Sequence, residues 1–217
     1  GTPFANQPSA AYCSGFLVSE DLIVTAGHCV RDINECGQTS FVFDYAKHSA
    51  DQDDFIVPHD NVYYCQEIVV RRTGAFDFAV IRLNRKVTDR VPLNVRREGS
   101  LSPGDQVMMI GHPMGLPSKI ADGGFVQSVG DKIVATVDAF SANSGSVILN
   151  SQTGIAEGIL VAGEPDYKTV GDCRVEAVCG DDCSGEIITP ISAVLEYIPE
   201  VSFENPICSS EDSLDDN

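Results

Sequence analysis

The chain has 217 residues, 43% hydrophobic and 21% charged, so it is long enough for a sizeable core, and its composition excludes a fibrous or wholly disordered protein. Acidic residues (32) outnumber basic ones (14), and the formal net charge of -18 argues against nucleic acid or an anionic membrane as a partner. No apolar run approaches the roughly 20 residues needed to cross a bilayer, which predicts a soluble protein.

Short apolar runs separated by glycine and proline are typical of β-strands and predict an all-β protein. The residues Ser19, Glu20 and Asp21 separate the first two runs and predict a hairpin. The expected strands, in chain order, are Tyr12–Val18, Leu22–Ala26, Ser40–Tyr45, Glu67–Arg71, Phe78–Leu83, Gln106–Gly111, Gly124–Val129, Lys132–Val137, Ser146–Asn150 and Glu157–Val161.

One short helix is predicted near the C-terminus. Thr189 can cap it, Pro190 suits its first position, and apolar residues recur at helical spacing from 191 to 198. The number and spacing of the strands predict a pair of barrels or sandwiches. We expect residues 1–105 to form the first unit, residues 106–200 to form the second with the helix, and the acidic residues 201–217 to form a mobile tail.

Eight cysteines, without the Cys-x-x-Cys pairs of metal sites, predict disulfides and an oxidising compartment, either periplasmic or extracellular. The first five residues lack the positive start and apolar stretch of an export signal, so we expect any such signal to have been removed. A zinc site at Cys173, Cys179 and Cys183 lacks a matching histidine. The acidic clusters 51–54 and 181–182 lack a calcium-loop signature, so solvated acid is the preferred interpretation and no metal is predicted.

Three segments carry residues that suit one chemistry. His28 lies among small residues in the segment TAGHC at the end of a predicted strand, and Asp77 begins the apolar run DFAVI. Ser144 lies in the small-residue turn ANSGS between two predicted strands. A serine hydroxyl becomes a good nucleophile when an imidazole takes its proton, and a buried carboxylate fixes the tautomer of that imidazole. The residue types therefore predict acyl transfer.

The order His28, Asp77, Ser144 and these three motifs resemble the trypsin/chymotrypsin-like serine peptidases over about residues 10–200. The NSGS segment is closer to the bacterial branch that includes glutamyl endopeptidases than to the animal digestive enzymes. The resemblance implies two six-stranded antiparallel β-barrels with the triad in the cleft between them. It also implies a Cys13–Cys29 disulfide and an oxyanion hole made by the N–H groups of Ala142 and Ser144.

Two departures from the family pattern lie directly before Ser144. Ala142 replaces the usual glycine, and its Cβ restricts the peptide of the oxyanion hole. Asn143 replaces the aspartate that pairs with a new N-terminal amine in digestive members, so we do not expect activation by that ion pair. His112, which precedes a proline and has no acid motif, is interpreted as structural. Among the remaining six cysteines we expect Cys36–Cys65 and two bridges among the last four.

Substrate preference is predicted from Asp138, six residues before Ser144. In trypsin-like members that offset marks the base of the primary specificity pocket, where a carboxylate favours an Arg or Lys side chain. Leu160 stands where glutamyl endopeptidases place a histidine, and Gly163 follows it in the same pocket wall. The sequence therefore predicts a secreted or periplasmic, monomeric serine endopeptidase that cleaves polypeptides after Arg or Lys without a cofactor. The alternative is a catalytically inactive homologue that acts as a binding or adhesion module.

Overall fold

A computed structural model describes residues 4–49, 55–177 and 183–200. The acidic clusters 51–54 and 181–182 and the tail 201–217 lie outside the described residues, so the predictions made for them stay untested. Within the described part no helix is long and apolar enough to cross a membrane. The strands are β1 (Phe16–Ser19), β2 (Leu22–Thr25), β3 (Ser40–Val42), β4 (Val62–Arg72), β5 (Phe78–Leu83), β6 (Gln106–Gly111), β7 (Lys119–Val129), β8 (Ile133–Ala135), β9 (Val147–Asn150), β10 (Ala156–Ala162), β11 (Tyr167–Val170), β12 (Cys173–Glu176) and β13 (Glu186–Pro190).

The first half of the chain forms a five-stranded antiparallel sheet in the order β1-β2-β5-β4-β3. Strands β2 and β5 lie at its centre because both are almost wholly apolar and bury nearly every side chain. The predicted hairpin is formed by β1 and β2. The sheet has five strands among the described residues where six were expected. Strand β4 is longer than predicted because its first three residues pair with β3 and the rest with β5.

The second half forms a closed six-stranded barrel in the order β10-β13-β8-β7-β6-β9. Its interior is filled by aliphatic side chains that are almost completely buried, including Val107, Ile148 and Ile188. The all-β class and the double-barrel architecture are therefore confirmed. The boundary near residues 100–106 stays a prediction, although the sheet ends at Leu83 and the barrel begins at Gln106.

The predicted C-terminal helix exists as a 3₁₀ helix, Ile191–Tyr197. Thr189 and Pro190 end β13 instead of starting this helix, and no side chain caps it. The sequence also gave no signal for the short helix α1 (Ile33–Cys36) or for the β11–β12 hairpin. The hairpin was missed because most of its side chains are exposed and polar, so no apolar alternation marks it.

Two disulfides are present between described cysteines, Cys13–Cys29 and Cys36–Cys65, and both were expected. Cys183 is also disulfide-bonded, whereas Cys173 is a free, exposed cysteine. The expectation of two bridges among the last four cysteines is wrong for this reason. Cys173 lies at the start of β12, opposite Val170 in the hairpin.

A buried ion pair joins the segment between the two halves to the barrel. The Arg96 guanidinium donates to both carboxylate oxygens of Glu157, with Nε–Oε2 at 2.5 Å and Nη2–Oε1 at 2.6 Å. The Glu157 side chain is only 1% exposed, and its position in β10 places the carboxylate against the connecting segment. The hydrogen bond from Arg96 N–H to the Ala156 carbonyl, 2.9 Å, holds the backbone in the same place.

Replacement of Arg96 by alanine is expected to lower the free energy of unfolding by roughly 3–5 kcal/mol, because it leaves the Glu157 carboxylate buried without a counter-charge. Urea denaturation followed by circular dichroism measures this loss. The control is Lys86→Ala, which breaks an exposed pair with Glu20 and is expected to leave the free energy of unfolding almost unchanged. Equal losses for the two variants would contradict the prediction.

Candidate active site

The central strands of the first sheet bring His28 and Asp77 together. His28 follows the end of β2, Asp77 precedes β5, and the two strands pair antiparallel with Thr25 opposite Ala79. His28 Nδ1 lies 2.7 Å from Asp77 Oδ2, and the backbone N–H of His28 donates to Asp77 Oδ1 at 3.1 Å. With Nδ1–H donating to the carboxylate, Nε2 of the ring is left as a proton acceptor.

Gly27 leaves the space that the Asp77 carboxylate occupies. A Cβ at this position would overlap the Arg72 carbonyl oxygen and lie 2.7 Å from the Phe78 carbonyl oxygen and 2.8 Å from Asp77 Oδ1. The Gly27 carbonyl in turn accepts a hydrogen bond from Arg71 Nε at 2.6 Å. The glycine of the TAGHC segment is therefore required by close backbone approach.

Gly27→Ala is expected to cost roughly 1–3 kcal/mol of folding free energy, because backbone atoms must move to admit the methyl group. It is also expected to lower any hydrolytic activity, since Asp77 must shift away from His28. Thermal unfolding and initial rates measure the two effects. Gly37→Ala is the control, because Gly37 has φ -62 and the nearest atoms to a new Cβ are 3.6 Å away. If the Gly27 variant matched this control, the steric argument would fail.

Thr189 connects the second barrel to the Asp77 backbone. Its side chain is completely buried, and its hydroxyl accepts from Asp77 N–H at 3.3 Å and donates to the Asp77 carbonyl at 3.1 Å. Sequence reasoning assigned Thr189 to a helix cap, but its hydroxyl is already used in this contact. Thr189 thus fixes the position of Asp77 relative to the barrel that carries Ser144.

The turn that carries Ser144 is held against the first sheet by backbone contacts. The Ser144 carbonyl accepts from Ser14 N–H at 2.8 Å, and Ser14 Oγ donates to the Ala142 carbonyl at 3.1 Å. Gly145 has φ +88, and a Cβ there would overlap the Ser14 carbonyl oxygen, so only glycine fits. Its N–H donates to the Leu160 carbonyl at 2.7 Å, which ties the turn to β10.

The Cys13–Cys29 disulfide lies close to both His28 and the Ser144 backbone. Its sulfur atoms and a His28 ring nitrogen lie within 4.8 Å of one another, and Cys29 Sγ lies 3.7 Å from the Ser144 carbonyl oxygen. Because the two sulfurs are bonded to each other, they cannot bind a metal as thiolates. The described residues show no hydrogen bond between Ser144 Oγ and His28, a contact that in ligand-free enzymes is often long and shortens when substrate binds.

The backbone N–H groups of Ala142 and Ser144 donate to no acceptor among the described residues. Ala142 has φ +73, in the left-handed region, at a cost of roughly 1–2 kcal/mol for a residue with a Cβ. Asp166 holds this loop in place, because its Oδ2 accepts from Ser141 N–H at 2.8 Å and from Ser141 Oγ at 2.6 Å. Sequence reasoning missed Asp166, which lies far along the chain in an irregular segment.

A cavity of about 370 Å³ opens beside Ser144. Its walls are formed by residues 139–141 and 162–167, and both Leu160 and Gly163 are among the residues that line it. Asp138 does not line it: Val137 is buried in the core, the Asp138 side chain is exposed, and the next residue reaches the cavity. The carboxylate residues that line the cavity are instead Glu164, Asp166 and Glu186.

His112 is separate from this arrangement. Its ring stacks on Tyr45 with centroids 5.6 Å apart, and its Nδ1 lies 3.0 Å from the Leu116 carbonyl oxygen. Burial lowers the pKa of His112, which favours the neutral ring. These contacts fit the structural role expected for it.

The model of the trypsin-like peptidase domain matches residues 13–159, more than half of the chain. The chain belongs to this family. Among curated proteins, no sequence matches this trypsin-like peptidase significantly.

Three solved structures resemble this trypsin-like peptidase in fold. A Glu endopeptidase in complex with MPD has a TM-score of 0.60 at 19% identity, covering 85% of this chain and 82% of its own. The active form of the Rv3671c protease from M. tuberculosis has a TM-score of 0.55 at 15% identity, and the match covers 88% of this chain and 74% of the protease chain. Kallikrein-related peptidase 10 in complex with Zn2+ has a TM-score of 0.57 at 16% identity, and the match covers 86% of this chain and 87% of the kallikrein-related chain.

Proposed function

We propose that the chain is a serine endopeptidase with His28, Asp77 and Ser144 as its catalytic triad. The observation that carries the proposal is the pair of contacts from Asp77, which hold both the ring and the backbone of His28 beside the turn that presents Ser144. In this mechanism His28 Nε2 takes the Ser144 proton while Oγ attacks the substrate carbonyl carbon. Asp77 stabilises the imidazolium that forms.

The later steps use the same groups. The free N–H groups of Ala142 and Ser144 stabilise the oxyanion of the tetrahedral intermediate. The imidazolium then gives its proton to the leaving amine, the peptide bond breaks, and an acyl-enzyme remains on Ser144. A water molecule, deprotonated by His28, hydrolyses this ester and restores the free enzyme.

For the substrate we propose polypeptides with Arg or Lys on the N-terminal side of the cleaved bond. Three carboxylates, from Glu164, Asp166 and Glu186, contribute to the cavity beside Ser144, against one basic side chain, Arg174. This charge balance repels an acidic side chain and attracts a basic one. The disulfides support a secreted or periplasmic location, where such bonds persist.

The second candidate is an inactive homologue that binds polypeptides, and the left-handed Ala142 is the observation that favours it. A fluorophosphonate probe distinguishes the two, because it labels a serine only when the hydroxyl is activated and the oxyanion hole accepts the phosphonyl oxygen. We expect labelling at Ser144, located by peptide mapping, and none in Ser144→Ala. Ser151→Ala, in a turn at the far end of β9, serves as the matched control. A wild-type protein that resists the probe would support the inactive homologue.

A further inference from the structure

The cavity beside Ser144 receives a carboxylate from a strand that sequence reasoning did not recognise. Glu186 begins β13 and pairs with Ala135 of β8, so its position is fixed by the closed barrel. Its carboxylate lies directly against Gly163, where any Cβ would overlap both carboxylate oxygens. The absence of a side chain at Gly163 therefore opens the space in which the carboxylate stands.

The groups around Glu186 are mostly acidic. Its carboxylate accepts a hydrogen bond from the Glu164 backbone, and the negative charges of Asp166, Glu164 and Asp138 lie near enough to disfavour its ionisation. Among the described residues no basic side chain forms an ion pair with Glu186. Burial, followed by these neighbouring charges, raises the pKa of Glu186 to about 7.

Resting on the proposed function, we propose that Glu186 is the specificity-determining residue of this peptidase and forms an ion pair with the guanidinium or ammonium group of the substrate side chain in the cavity. A partly buried carboxylate without a counter-ion is a strong acceptor, and the substrate cation is the partner that it lacks. The carboxylate of Glu186 reaches this cavity from β13, which follows Ser144 in the chain. The carboxylate expected from the sequence was that of Asp138, which precedes Ser144.

Arg174 is the competing feature, since it also lines the cavity and would favour an acidic substrate side chain. It is exposed on the β11–β12 hairpin, where its guanidinium stacks over the Tyr167 ring at 4.9 Å from the centroid. An exposed charge is screened by water and salt, whereas the charge of Glu186 is screened much less. Glu186 therefore dominates the choice of side chain.

Substrate choice depends on pH as a consequence. Below about pH 7 the Glu186 side chain is largely protonated and favours a cationic substrate side chain only weakly over a neutral one. As the pH rises through this value, the ionised carboxylate favours the cationic side chain strongly. Citrulline is a neutral analogue of arginine. The ratio of kcat/KM for Arg and citrulline substrates therefore measures how strongly the cavity prefers a positive charge. Titration of the triad affects both substrates equally and cancels in this ratio.

The experiment compares wild-type protein with Glu186→Gln and with Asp138→Asn, the matched control, at about pH 8. Benzamidine, a small amidinium ion, reports binding in the cavity by calorimetry without any need for turnover. We expect Glu186→Gln to weaken benzamidine binding and to lower the Arg-to-citrulline ratio by roughly 100-fold, because one partner of a charge pair is removed. Asp138→Asn is expected to change both far less, because Asp138 does not line the cavity and Glu186 is already mostly ionised at this pH.

The outcomes separate the two proposals. Equal benzamidine affinity in wild-type and Glu186→Gln protein, or a loss in Asp138→Asn alone, would overturn the role of Glu186 whether or not the protein is active. A fluorophosphonate probe that fails to label Ser144 would instead count against the peptidase itself. Preferential cleavage after Glu by the wild-type protein would also overturn the inference.

The Gln variant is expected to fold, which keeps the comparison valid. Because the pKa of Glu186 is raised from 4.5 to about 7, its contribution to stability is complete below the unfolded value and is lost as the pH rises through about 7. Glutamine cannot ionise and loses nothing over this range. The melting temperature of Glu186→Gln relative to wild type should therefore rise between about pH 5 and pH 8, and scanning calorimetry measures it.

Discussion

Replacement of Ser144 by alanine is expected to lower kcat for peptide hydrolysis by roughly 10⁶-fold, and His28→Ala by a similar factor, because members of a triad act as a unit. The double variant should be no slower than either single one. Without Oγ no acyl-enzyme forms, and without the imidazole the hydroxyl keeps its proton. Initial rates with a chromogenic peptide anilide, whose cleaved bond is an amide, measure all three.

The loss of activity in the Ser144→Ala variant must be shown not to result from unfolding. Ser144 contributes its carbonyl, and not its side chain, to the contact with Ser14, so alanine preserves the turn. Circular dichroism and the melting temperature should therefore match those of the wild type, with the Cys13–Cys29 disulfide intact. A folded Ser144→Ala protein with wild-type turnover would exclude the proposed nucleophile.

The central strands were the most predictable part of the fold. Strands β5 and β6 begin and end at the residues expected from the sequence, and β2 differs from its prediction by one residue. All three are predominantly apolar strands, so their burial follows directly from composition. Exposed strands such as β11 and β12 carry no such signal, because solvent accepts any side chain there.

The residues of the proposed triad could be selected from the sequence because short motifs contain them, but their supporting contacts could not. Thr189 reaches Asp77 across 112 positions of sequence, and Asp166 reaches Ser141 across 25. Such contacts depend on how the barrel closes, which no local pattern specifies. The position of Thr189 after two isoleucines was the signal for a buried hydroxyl that needs a partner. The assignment of this residue to a helix cap supplied a different partner.

The position of the pocket carboxylate could not be predicted from local sequence either. Asp138 was placed in the pocket by its offset from Ser144, which assumes a particular shape for the intervening loop. In the structure Val137 packs in the barrel core, whereas Asp138, the next residue of an irregular segment, is exposed. The charge sign of the pocket is retained because Glu186 enters from another strand, and only the closed barrel brings that strand to the site.

Asp77→Asn is expected to reduce kcat by roughly 10⁴-fold while the protein stays folded. The asparagine oxygen can still accept the backbone N–H of His28, which preserves the turn. The amide NH₂ then faces Nδ1 and donates to it, so the ring carries its proton on Nε2 and cannot accept the proton of Ser144.

Two measurements separate this tautomer effect from structural damage. Asp77→Asn should keep a melting temperature near that of the wild type, whereas Asp77→Ala also loses the backbone contact and should melt earlier. Both variants should be similarly inactive, because activity depends on the orientation and tautomer of the ring and stability on the backbone bond. An Asn variant within about tenfold of wild-type kcat would mean that another group orients His28, since a triad carboxylate is worth far more than that.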